Sequence, residues 1–446
     1  MAKAVPGGNA QAGRLSGATI AALASGQPPA AIAVIRISGP RAFSALEALT
    51  GSAPPPDRRM SLRTLVDPGS GAQLDSALVV GFRGPATASG EDLVELHLHG
   101  GVAVVSDVLA ALVAMPGVRL AEAGEFTRRA FANGRMDLAQ VEGLADLIAA
   151  ETASQRLQAL ALAGGALSRA ADQWRGRCLD ILAEAEAGLD FAEDEADVAA
   201  RIDDVARSTL QGLVAELRRL IADAGRGARL RNGLMIAVSG PPNSGKSSLV
   251  NVLSRKDAAI VTAIAGTTRD PIEVPIDLNG VAAILIDTAG LRDTDDPIEA
   301  EGIRRARAHA AEADLVLHLV DTAPDEMPAD GLLVINKIDL GGRPIPAGAF
   351  GVSATRGDGI AELRVALADW AATALRPGEP ALLSHVRHQA AFSDAADALA
   401  DAASIDDPVL RAESLRHAAR AFGRIAGRVD VDDVLDRIFS RFCIGK

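Results

Sequence analysis

Residues Gly240-Pro241-Pro242-Asn243-Ser244-Gly245-Lys246-Ser247 satisfy GxxxxGK[ST], and they sit between an apolar run, MIAVS, and a helix-like run, SSLVNVLSR. That setting of strand, glycine-rich loop and helix separates a phosphate-binding loop from a chance turn. Backbone N–H groups of such a loop surround a β-phosphate, Lys246 adds a cation, and the Ser247 hydroxyl suits Mg2+. The loop also demands a fold. Apolar runs GLMIAVSG, AAILIDTAG, ADLVLHLVD and GLLVINKID alternate with helical stretches over residues 232–376. This is the pattern of a parallel doubly wound sheet with its ligand at the carboxyl ends of the strands.

Three further motifs choose the nucleotide. Asp287-Thr288-Ala289-Gly290 is DxxG, in which the aspartate reaches Mg2+ through water and the glycine amide senses a γ-phosphate. Asn336-Lys337-Ile338-Asp339 is NKxD, and the Asp339 carboxylate accepts from guanine N1–H and the 2-amino group, a donor pair that adenine lacks. Ser353-Ala354-Thr355 follows the next strand-like segment and offers a backbone amide to guanine O6. With Ser248 beside the loop, this order and spacing specify GTP. Gly266-Thr267-Thr268-Arg269-Asp270 supplies the switch, where Thr268 ligates Mg2+ when a γ-phosphate is present.

The hydrolytic apparatus departs from the common pattern. Leu291 stands where many small GTPases place a water-orienting Gln, so another group must orient water and neutralise developing charge. Glu299, in RDTDDPIEAEGI, reads from the residues alone either as a solvated carboxylate at a helix start or as a group folded over the nucleotide. Asn243 reads either as a loop former or as an oxygen donor to a monovalent cation beside the phosphates.

Outside this module the chain falls into zones. Residues 1–17 read as a flexible extension without an apolar export signal. Residues 18–133 carry strand-like AIAVIRISG, ALVVGFRG and DLVELHLHGG around an amphipathic VSDVLAALVAM, which predicts an α+β domain. Residues 134–231 and 377–446 are Ala-rich with helical spacing, so the expected architecture is multidomain α/β with a G domain inserted into a discontinuous all-α helical domain. No run is apolar and long enough to span a membrane, and two cysteines, Cys178 and Cys443, exclude a disulfide framework. A cytoplasmic protein is the expectation.

Charge and ring content narrow the partners. Lys and Arg number 45 against 58 Asp and Glu, a net charge of −13, which excludes a generally basic nucleic-acid coat. Aromatics make up 3% with no Tyr, too few for serial base stacking. Residues 184–204 hold nine carboxylates against one Arg and repel RNA. Arg218, Arg219, Arg226, Arg229 and Arg231 form a basic approach to the G domain, open between tRNA contact and helix capping. His97 and His99 alternate on one strand face, but without a third ligand nearby they do not make a metal site.

GEFTRRAFANGRMDLAQVEGLADLI (124–148), IAGTTRD, DTAGLR and the terminal FCIGK resemble one family, the tRNA-modification GTPases called MnmE or TrmE, from about Thr19 to Lys446. The resemblance implies a homodimer working with the flavoprotein MnmG (GidA), which brings FAD and much of the tRNA surface. Together they build an aminomethyl or carboxymethylaminomethyl group on C5 of wobble uridine 34. It implies that Thr262, Ala263, Ile264 and Ala265 also line the nucleotide. Asn243 with Thr262, Ile264 and Thr267 would hold K+, while Glu299 aligns with the general base. It further implies a tetrahydrofolate site (5,10-methylene- or 5-formyl-tetrahydrofolate) on Arg36, Glu95, Arg135 and Lys446, with Cys443 as a catalytic candidate nearby. Arg135 stands where relatives carry Lys, and the two hydrogen-bond differently. The competing class is an RNA-binding ribosome-assembly GTPase, which would carry a basic GxxG module in place of the N-terminal zone.

Overall fold

The computed structural model describes residues 17–191, 196–255, 273–287, 312–341, 344–376, 381–427, 435, 438, 439, 442 and 445. They divide into two compact units, one running up to Ala145 and resuming at Ala426, the other Asp146–Ile425.

In the first unit, β1 (Thr19–Leu23), β2 (Ala30–Ser38), β3 (Ser61–Val66), β4 (Gln73–Phe82), β5 (Leu93–Gly100) and β6 (Val118–Leu120) form one sheet in the order β3-β4-β5-β2-β1-β6. All neighbours are antiparallel except β1 and β6. Strand alternation sends Ile35, Ile37, Leu96 and Leu98 to one face, where Leu46 and Leu49 of α1 (Ala42–Thr50) and Val108 and Leu112 of α2 (Val102–Val113) close the core. The same alternation puts Arg36 and Glu95, directly paired in register, on the opposite face. There α3 (Glu125–Ala132) lays Phe126 against Ile20 and Ala22. The start of α4 (Leu138–Ala149) packs Leu138 and Val141 on Ile438, Phe439 and Phe442, so the end of the chain returns to this unit.

The second unit holds the other sheet: β7 (Leu234–Ser239), β8 (Glu273–Leu278), β9 (Val281–Asp287), β10 (Leu315–Val320), β11 (Leu332–Ile335) and β12 (Phe350–Gly351), in the order β12-β11-β10-β7-β9-β8. Five strands are parallel, as expected. The edge strand β8 runs antiparallel to β9, because only Asn279-Gly280 joins them and two residues cannot make a crossover. Both have positive φ, +54 and +91, as a tight hairpin turn requires. α9 (Lys246–Arg255) and α10 (Ile360–Leu375) cover the sheet with Leu249, Leu253, Leu363 and Leu367.

Helices on both sides of this module in the chain meet in space. α6 (Ala166–Phe191) and α7 (Ala196–Ala222) pack with α11 (Val386–Ser404) and α12 (Pro408–Ile425), each touching two neighbours as in a four-helix bundle. Trp174 meets Phe392 edge-on at 5.2 Å, and Phe392 meets Phe422 at 5.7 Å between ring centroids. α5 (Ala153–Ala163) and α8 (Ala224–Asn232) connect bundle to sheet.

Candidate functional site

β7 is the first strand of its sheet in the chain, yet it lies between β10 and β9, so strand order reverses there and opens the crevice where such sheets bind ligands. The phosphate loop leaves the end of β7 at that point. Gly245 has φ +96, and a Cβ there would meet Asn336 Nδ2 at 2.3 Å, so the loop needs glycine twice over. Asn336 is buried and works as a brace: its Nδ2 donates to Ser244 O (2.7 Å) and its Oδ1 accepts from Ala354 N (3.1 Å). One side chain thereby joins phosphate loop, NKxD and SAT.

Lys337, itself in the left-handed region at φ +61, donates through Nζ to Asn243 O at 2.8 Å. Lys246 is 7% exposed and donates to Gly240 O and Pro241 O, inside the loop it serves. Ser247 Oγ donates to Asp287 Oδ2 at 2.5 Å, which brings the two expected magnesium-side oxygens together. Asp339 lies in the short 3-10 turn Ile338–Leu340, and Ser353, Ala354 and Thr355 follow β12. Ser248 is exposed on α9, as is Asn243 on the loop, at φ +64. Thr262, Ala263, Ile264, Ala265, Gly266, Thr267, Thr268, Thr288, Ala289, Gly290 and Glu299 lie outside the described residues, as do Cys443 and Lys446.

Of the expected folate residues, Arg36 and Glu95 share one face of the sheet in the first unit. Arg36 donates through Nε and Nη2 to Glu95 Oε1 (3.1 and 2.8 Å), and its guanidinium lies 5.9 Å from the Phe126 ring centre. Glu95 Oε2 faces His97 Nε2 at 3.6 Å. Arg135 Nε donates to Thr87 O, which ties it to the 83–92 loop. The backbone at Gly445 closes on Leu23 O at the end of β1, one residue from the Ala22–Arg36 register pair.

Sequence reasoning missed the buried charges beneath it. Arg129 and Glu125, both 2% exposed, bond to each other at 2.9 Å; Arg129 also bonds Glu91, and Arg119 bonds Glu125. Burial pushes the Glu125 carboxyl up, but Arg119, the Glu122 amide and Arg129 more than offset it, so its pKa falls below the ordinary value. In the sequence Glu125 and Arg129 sit in the GEFTRR segment as charges of an amphipathic helix, and nothing local links them to Glu91 or Arg119.

The structure also decides the basic approach to the G domain. Arg226 pairs with Asp223 at the start of α8 itself, while Arg229 pairs with Asp314 and Arg231 with Asp146, so the last two fasten α8 to other segments of its unit. His99 pairs with Asp75, and no cluster of three or more His, Cys, Asp or Glu suited to a metal occurs among the described residues. No helix among them is long and apolar enough to cross a membrane.

Comparison with known proteins agrees with both units. A family model described as "GTP-binding protein TrmE N-terminus" matches residues 19–135, and one described as "MnmE helical domain" matches residues 138–443. The tRNA modification GTPase MnmE of Azorhizobium caulinodans is 51% identical over 435 residues, covering 96% of this chain and 99% of that protein. Its namesake from Rhodopseudomonas palustris (strain BisB5) is 48% identical over 460 residues, with the same coverage of each. Among solved structures, the FeoB G-domain from Methanococcus jannaschii is 26% identical over 32% of this chain and 98% of that one, with a TM-score of 0.22, which adds nothing to the fold read from the sheet order. With one family's N-terminal and helical models joined around a GTP-type phosphate loop, and relatives matching nearly end to end, the chain belongs to the tRNA modification GTPase MnmE family.

Proposed function

We propose that the chain hydrolyses GTP in a K+-stimulated cycle and, with an FAD-dependent MnmG (GidA) partner, modifies C5 of wobble uridine 34 in tRNA using a tetrahydrofolate carbon. It acts as a homodimer in the cytoplasm, with residues 232–376 as the G domain, 18–133 as the folate and dimerisation domain, and 134–231 with 377–446 as the helical domain. The observation that carries the reading is the Asn336 brace, which makes the phosphate loop and the guanine-reading segments one rigid receptor.

Within that receptor the roles divide. Asp339 reads the guanine edge, Lys246 and the loop amides hold the phosphates, and Glu299 activates the attacking water. Ser247 and Asp287 present a hydroxyl and a carboxylate side by side, a hard-oxygen pair that fits Mg2+, to which Thr268 adds a third oxygen. The exposed Asn243 side chain, with Thr262, Ile264 and Thr267, fits K+, which when bound would supply positive charge beside the phosphates.

On the first unit, Glu95 reads the amide and amino edge of a pterin, and Arg36, Arg135 and Lys446 offer cations to a glutamate tail, with Cys443 beside them. Exposed Leu62 and Leu78 lie in one cross-strand row on this sheet and supply an apolar patch for the dimer. The test is mass spectrometry of wobble nucleosides from a deletion strain carrying either the wild-type gene or Glu299→Ala, with GTPase rates in matched KCl and NaCl. Loss of the aminomethyl-type nucleosides in the deletion and in the variant, and faster hydrolysis in KCl, are expected. An unchanged nucleoside profile in the deletion strain overturns the reading.

A further inference from the structure

The G module is an insertion, so the chain crosses into it once and out of it once. The incoming crossing is α8, which runs straight into β7 at Leu234. The outgoing crossing passes from α10 through residues 381–384 to His385, the residue preceding α11. Both crossings meet one carboxylate. Asp146 Oδ1 accepts from Arg231 Nε at 2.8 Å, and Asp146 Oδ2 accepts from His385 Nε2 at 2.8 Å.

We propose that Asp146 is a positioning residue that latches the two crossings together and so sets the orientation of the G module on the helical bundle through the GTPase cycle. This rests on the GTPase reading above and takes hydrolysis to move that module. A domain carried on two strands turns only if both strands twist, and a carboxylate bonded to both resists the twist directly. α8 is held as a unit at the same place: Gln155 Nε2 donates to Arg231 O and Gln158 Nε2 to Gly227 O, each at 3.0 Å.

The latch is strong enough to matter and open enough to release. Side-chain exposures of 16% for Asp146, 26% for Arg231 and 11% for His385 keep water largely out, so losing one partner leaves a poorly solvated charge. Burial pushes the Asp146 carboxyl up, while His385 and Arg231 more than offset it, so its pKa lies below the ordinary value and it stays an acceptor at neutral pH. Beside it is a cleft of about 110 Å3 lined by Asp146, Gln155, Gln158 and Arg231. The buried Gln158 Oε1 has no hydrogen-bond partner there.

The experiment uses the full chain with nitroxides on Val205→Cys and Val365→Cys, both exposed, in a Cys443→Ser background diluted with unlabelled chain. Pulsed electron resonance then gives the distance distribution with GDP bound. Asp146→Ala and His385→Ala are expected to widen it at least twofold, with GDP affinity within twofold of wild type. His385→Gln, whose amide can donate to Asp146, is expected to restore the narrow distribution. Unchanged widths in both alanine variants overturn the latch, and if Asp146→Ala fails to fold, His385→Ala decides. Identical wild-type distances with GDP and with GDP–aluminium fluoride would instead strike the reading that hydrolysis moves the module, which the width comparison does not depend on.

Discussion

Two glycines in α8 respond oppositely to the same substitution. In an isolated helix Gly→Ala stabilises by up to about 1 kcal/mol. At Gly225 a Cβ meets nothing within 4 Å, so Gly225→Ala keeps that gain. At Gly227 a Cβ would lie 2.1 Å from Leu383 O, 2.9 Å from Leu383 C and 3.1 Å from Ala381 Cβ. The obstacle is backbone, which cannot swing aside as a flexible side chain can, so α8 and the outgoing segment must separate by about 1 Å, and such overpacking costs about 1–3 kcal/mol. Gly225→Ala carries the helix gain without that cost, so Gly227→Ala stands about 1–3 kcal/mol below it, and the strain falls on the residues that carry the Arg231–Asp146–His385 contact. At about 2–4 °C per kcal/mol for a unit of this size, the melting temperature of Gly227→Ala lies about 2–12 °C below that of Gly225→Ala. Scanning calorimetry of the two variants side by side measures it. Equal melting temperatures for Gly225→Ala and Gly227→Ala refute the close approach of α8 to Leu383.

The remaining expectations concern single groups. Asn336→Ala leaves Ser244 O and Ala354 N without the amide, at about 1–3 kcal/mol per unpaired buried group, so titration calorimetry should show GTP affinity weaker by about 30-fold or more. Asp339→Asn should move preference from GTP toward XTP in competition binding, since an amide donates to the 2-oxo group. Glu125 has a lowered pKa in the folded chain, so its contribution is present above the unfolded value near 4.5 and is lost as pH falls through the folded one. Wild type should therefore lose melting temperature on acidification below about pH 4.5 more steeply than Glu125→Gln, which has no carboxylate to protonate. Burial pushes the Cys178 thiol up to about 11, and its Sγ–H donates to Leu415 O, so iodoacetamide at pH 8 should label Cys178 only after denaturation.

GPPNSGKS, DTAG, NKID and SAT are legible as a nucleotide-type pattern in the sequence, because each is a short local segment whose residue types and spacing suit one small ligand. Arg36 and Glu95 were singled out by the family resemblance alone, and it is the register of β2 against β5 that sets them side by side on one face of the sheet. The antiparallel edge strand was legible in principle from Asn279-Gly280, a two-residue turn signal, but was read through as part of a parallel sheet. Other features exist only between segments distant in the chain. The Arg119–Glu125–Arg129–Glu91 network, the return of Phe439 to Leu138 and the Asn336 brace each join residues that no local pattern links. The arginines of α8 make the division plain: the Asp223–Arg226 pair is three residues apart and local, whereas only the fold brings Asp314 to Arg229 and Asp146 to Arg231. A charge has a range of several ångströms and no sequence signature for its partner, so its role is settled by what packing sets beside it.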